Sequence, residues 1–208
     1  MGGRGSSSGS GGGSTGRAGG GNINVQRADS LISARESAQQ EVDQTLSVLR
    51  DVESQYGVNL ADVQLATVKN RGVLAYYDSN DNLAINQSYF DAAKMNAAYD
   101  RSVQQGFHPS RGNKSGIEAV TAHEAGHKLT AQNGFGDINR TSNTIIHNAS
   151  RTLGMSASEV RRSISGYARS NNAEAVAEAF SDVYCNGARA SRASREVVNE
   201  LNNLYRRR

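Results

Sequence analysis

The chain has 208 residues, one cysteine, no tryptophan, 6% aromatic residues and a formal net charge of +3. One cysteine excludes an intrachain disulfide scaffold, and no apolar run approaches the ~18 residues that a bilayer span requires. Charges of both signs are mixed without a basic stripe, which argues against a nucleic-acid partner.

The first 21 residues hold 11 of the 22 glycines, interleaved with serine, Arg4 and Arg17. Such a stretch has nothing to bury against its ordering entropy, so residues 1–22 read as a flexible tail and 23–208 as one domain. The N-terminus lacks the charged, apolar, small-residue order of a secretory signal. That predicts a protein that does not use the classical secretory route, with no membrane partner.

A helix is expected over 29–56, capped by Asp29 or Ser30 and ended by Gly57. Its apolar positions Leu31, Ala38, Val42, Leu46, Leu49, Val52 and Tyr56 recur at helical spacing. Three strands are expected over 63–68, 73–77 and 83–86. The turn formers Asp78 to Asn82 join the last two as a hairpin, giving a small antiparallel sheet. A helix over 89–104 precedes a loop from Phe107 to Gly116 that holds the only proline, Pro109. His108 in that loop could line the cleft and touch substrate, but reads first as a surface or packing residue. The second half reads as helices over 115–132, 142–153, 156–168, 172–186 and 193–205, the first stopped by Gly134 and Gly136. Ser165-Gly166 is expected to break a helix and turn Tyr167 inward. His147 reads as structural and Cys185 as a packed thiol. Helix, small sheet, then helices is an α+β order.

The helix over 115–132 carries His123-Glu124-Ala125-Gly126-His127. Two histidines four apart share one helix face, so one tetrahedral ion can take both imidazoles. Glu124 then lies beside the open coordination position, placed to accept a proton from a metal-activated water. A catalytic zinc site needs a third protein ligand, and Glu174 and Glu178 share one face of a later helix. Glu174 is the candidate ligand, with Glu178 one turn on to accept the free N–H of a ligating imidazole, His123.

These residues resemble the gluzincin class of zinc metallopeptidases, in which a second-helix glutamate is the third ligand. The closer likeness is to lethal-factor-like peptidase domains, where a tyrosine stands seven residues before the ligand glutamate and another glutamate four after it. Those positions are Tyr167, Glu174 and Glu178, and the likeness runs from about Phe107 to Tyr184. It implies a zincin-like fold and a Tyr167 hydroxyl facing the reacting water or the substrate oxyanion. Relatives place bulky residues after the ligand glutamate, where this chain has Ala175-Val176. The Gly/Ser-rich start and Phe107-His108-Pro109 also resemble, more loosely, phage-encoded proteins of head-morphogenesis regions.

The expected function is a zinc-dependent endopeptidase acting on a peptide or protein, with an extended substrate added to a sheet edge near Leu83–Gln87. The alternative is a phage structural or assembly protein whose metal site is vestigial or structural. A third reading, an interaction or toxin module delivered with a phage or a secretion system, keeps the peptidase chemistry; a phage particle or secretion apparatus is then a further partner, and the location cytoplasmic or virion-associated.

Overall fold

The computed structural model describes residues 24–26, 38–60, 63–67, 72–77, 83–132 and 137–206. The expected tail over 1–22, the first residues of the expected first helix, the hairpin turn over 78–82, and Gly134 and Gly136 lie outside the described residues.

Strand β1 (Asn24–Gln26) is followed by helix α1 (Gln39–Tyr56), then strands β2 (Val63–Thr67), β3 (Ala75–Tyr77) and β4 (Leu83–Asn86). Helix α1 buries Val42, Val48, Leu49 and Val52 on one face and ends at Gly57, whose φ of 64° is left-handed. A 3-10 turn (Gln87–Tyr89) leads to α2 (Ala92–Gln104), which is capped by the Asp91 side chain accepting from the Lys94 amide. The expected helix over 89–104 is thus a turn and then a helix, because Asp91 caps where the continuous pattern reads through.

The sheet order is β1-β2-β4-β3, and β2 pairs with β4 in parallel while β3 pairs with β4 antiparallel. This corrects the expectation of an antiparallel sheet. The hairpin of β3 and β4 exists, but β4 returns between β2 and β3. For the same reason Leu83–Gln87 offers no free edge, because β4 is paired on both sides. All four β4 residues are buried, and so are all three of β3. The edge on that side is β3.

Helix α3 (Gly116–Gln132) starts with a reciprocal cap. The Ser115 amide donates to the Glu118 carboxylate at 2.7 Å, and the Glu118 amide donates to Ser115 Oγ at 3.1 Å. Every residue from Gly116 to Thr130 is buried except Glu118, so α3 is the central rod of the molecule. Around it lie α4 (Ile138–Leu153), α5 (Ala157–Ile164), α6 (Asn172–Asn186) and α7 (Arg192–Arg206). The helix expected over 156–168 stops at Ile164, and a separate 3-10 turn (Tyr167–Arg169) follows. Cys185 is buried as expected, while His147 is exposed. The architecture is α+β, with one continuous core running from α1 through the sheet to α7.

Candidate metal centre

Two helices build the site. Gly126 of α3 faces Ala177 and Phe180 of α6; a Cβ there would lie 3.0 Å from Ala177 Cα and 3.1 Å from Phe180 Cβ. The missing side chain therefore lets the two helix backbones approach closely. That approach brings the α3 histidines to the first turn of α6. There the Asn171 side chain caps the helix by accepting from the Glu174 amide at 2.9 Å, which leaves the Glu174 carboxylate to turn inward.

The result is a near-equilateral triangle of donor atoms. His127 Nε2 lies 3.2 Å from His123 Nε2 and 3.2 Å from Glu174 Oε2, and His123 Nε2 lies 3.3 Å from the same oxygen. An ion bonded at about 2.0–2.1 Å to three corners of a tetrahedron holds those corners about 3.4 Å apart. Two imidazole nitrogens and one carboxylate oxygen are also a donor set suited to a first-row divalent ion. The residues fit a metal. Glu124 is fully buried, and His123, Glu124 and His127 form a buried group able to hold a metal ion, with ligand atoms within 4.8 Å of one another. Glu174 supplies the tighter third corner by the distances above.

Glu178 Oε1 lies 2.8 Å from His123 Nδ1, at ion-pair distance though outside the geometry of a straight hydrogen bond. The same oxygen lies 2.8 Å from His108 Nδ1, and Ser165 Oγ donates to the other at 2.7 Å. His108 is thus a buried member of the site, which corrects the surface reading and lies nearer the alternative that placed it beside the cleft. Its signal in the sequence was faint: a lone histidine before proline in a loop, with a partner 70 residues away.

Tyr167 is nearly buried; its ring stacks on Phe107 at 4.9 Å between centroids and lies 5.9 Å from His123 at 24°. The inward turn expected from Ser165-Gly166 is present. The Tyr167 amide donates to the Phe107 carbonyl at 2.9 Å, and Ser165 Oγ accepts from the Ala168 amide at 3.0 Å.

Charge follows this geometry. Burial pushes Glu174 upward, but the charge of His127 and the hydrogen bonds of both histidines hold it well below the ordinary carboxylate range. Burial likewise raises Glu178, yet the charge and hydrogen bond of His108, with those of His123, bring it down to about 2. Burial depresses His123, while Glu174, Glu178 and Glu124 together hold it well above its usual value. Tyr167 is raised far above an ordinary phenol by burial, then by the charges of Glu174 and Glu124. The carboxylates that hold a proton on His123 in this way could equally serve a cation.

Among the described residues no helix is long and apolar enough to cross a membrane. No protein-family model matches the chain, and neither a curated protein nor a solved structure matches it.

Proposed function

We propose that the chain is a zinc-dependent peptidase of zincin-like fold, in which His123, His127 and Glu174 hold the ion. The observation that carries this reading is the triangle of two Nε2 atoms and one carboxylate oxygen at 3.2–3.3 Å. Zinc in that position would supply an acidified water and a polarised carbonyl. Glu124 follows His123 on α3 and is the general base: it takes a proton from the water and hands it to the departing amine. Tyr167, with its phenol kept protonated, donates to the negative charge that develops on the carbonyl oxygen. Any strand addition by an extended substrate falls to β3, whose Tyr77 ring lies parallel to His127 at 6.4 Å.

Glu124→Gln separates binding from chemistry. We expect the variant to keep near-stoichiometric zinc by elemental analysis and to lose cleavage of a peptide library by mass spectrometry. Wild-type protein that binds zinc but cleaves nothing would move the site to a structural role. Loss of zinc from the Glu124→Gln variant would make Glu124 a ligand.

A further inference from the structure

The loop before α3 buries a histidine where nothing local requires one. His108 is 7% exposed. Its ring stacks on Tyr99 at 5.2 Å and 10°, with Phe107 and Tyr167 edge-on at 5.1 and 5.6 Å. The loop is tied down on both sides of it. On one side, Gly166 and Tyr167 donate their amides to the carbonyls of Gly106 and Phe107, each at 2.9 Å. A Cβ on Gly166 would stand 2.7 Å from the Gly106 oxygen, so glycine is required for that approach. On the other side, Arg111 grips Asp100 through two nitrogens at 2.8 and 2.9 Å.

This fixed loop presents Nδ1 of His108 to the carboxylate that also faces Nδ1 of His123. Glu178 is 1% exposed and must be met by donors wherever it points. Ser165 occupies one oxygen; His108 and His123 converge on the other, each at 2.8 Å. Removing His108 leaves Oε1 with only the oblique contact to His123, so the carboxylate can rotate toward Ser165.

We propose that His108 is a positioning residue for the metal centre: it holds Glu178 in the rotamer that keeps Oε1 against His123 Nδ1, and so leaves His123 Nε2 to ligate. The inference rests on the reading of His123 as a ligand. It differs from a packing role because it requires a donor at the Nδ1 position, not merely a ring.

The test uses the full chain and zinc itself, with affinity measured by competition against a chromophoric chelator and folding followed by thermal melting of the metal-free protein. His108→Phe keeps the ring and removes the donor; zinc affinity is expected to fall about 10–100-fold, the usual cost of losing an outer partner of a ligating histidine. His108→Asn places an amide nitrogen where Nδ1 stands and is expected to recover most of that loss, whereas His108→Gln places its nitrogen beyond reach of Glu178 and is not. Unchanged affinity in His108→Phe overturns the proposal. If that variant fails to fold, the Asn and Gln variants decide, and equal affinities for those two overturn it. Wild-type protein that takes up no zinc sinks the metal reading and this inference together; a zinc-binding wild type with an indifferent position 108 sinks this inference alone.

Discussion

Glu174 shows how one residue can serve two levels of structure. Its amide is the group that Asn171 caps, a local helix-start role that any third-position residue could fill. Its side chain instead faces two histidines, and it is buried. The spacing of Glu174 and Glu178 on one helix face was readable in the sequence because α6 is regular there. The role of His108 was not, because loop geometry depends on pairings with Gly166 and Tyr167 that no local pattern encodes. Tyr167→Phe is expected to leave metal content unchanged and to lower turnover by about 10²–10³-fold, the scale for losing one donor to a developing oxyanion; an unchanged rate would demote Tyr167 to packing. Glu178 gives a pH signature in the metal-free protein. Its native value of about 2 lies below the ordinary 4.5, so its contribution is full above pH 4.5 and is lost as pH falls from there toward 2. Denaturant titrations across that window should show stability declining with acid in the wild type. Glu178→Gln, less stable at neutral pH, should show a flatter slope.

At the scale of elements, the seam between α3 and α6 decides whether the site exists. A Cβ at Gly126 meets Ala177 Cα and Phe180 Cβ at 3.0 and 3.1 Å, so Gly126→Ala requires the seam to give by a few tenths of an ångström. We expect a loss of about 1–3 kcal/mol in stability, the usual range for overpacking, and weaker zinc binding, because the shift separates His127 from Glu174. Wild-type stability in that variant, by denaturant unfolding, would show that the seam has slack. The glycine inside the histidine motif was visible in the sequence, yet nothing there says which helix it faces. Helices were the most legible elements: α2 through α7 fall close to the periodic patterns, and their differences trace to side chains such as Asp91 and Asp137, each of which caps a helix by accepting from its first-turn amides. The sheet was less legible. Strand positions follow from β-branched and aromatic runs, but order and direction depend on long-range pairing, and burial does not separate the central Leu83 to Asn86 from the edge strand Ala75–Tyr77, which is buried throughout as well.

For the molecule as a whole, the helix bearing the histidines is braced from its far end as well as from α6. Tyr205 of α7 donates its hydroxyl to the Leu129 carbonyl at 2.7 Å, and Tyr56 of α1 reaches Asn202 of α7 at 2.7 Å. First helix, central rod and last helix are thereby joined. Tyr205→Phe removes one of these bonds and should cost about 1 kcal/mol, read as a lowered melting temperature with zinc stoichiometry retained. The two donor segments are 47 residues apart in the chain, so an ion shared by His127 and Glu174 would be a removable clasp on a long loop. A permanent cross-link closing a loop of that length restricts the unfolded chain by about 4 kcal/mol in the loop-entropy model. Chelation would open the clasp without touching a covalent bond, and the melting temperature should then track free zinc concentration. Heat resistance and metal supply would become one variable, and a cell short of zinc would lose this protein to unfolding as well as to inactivity.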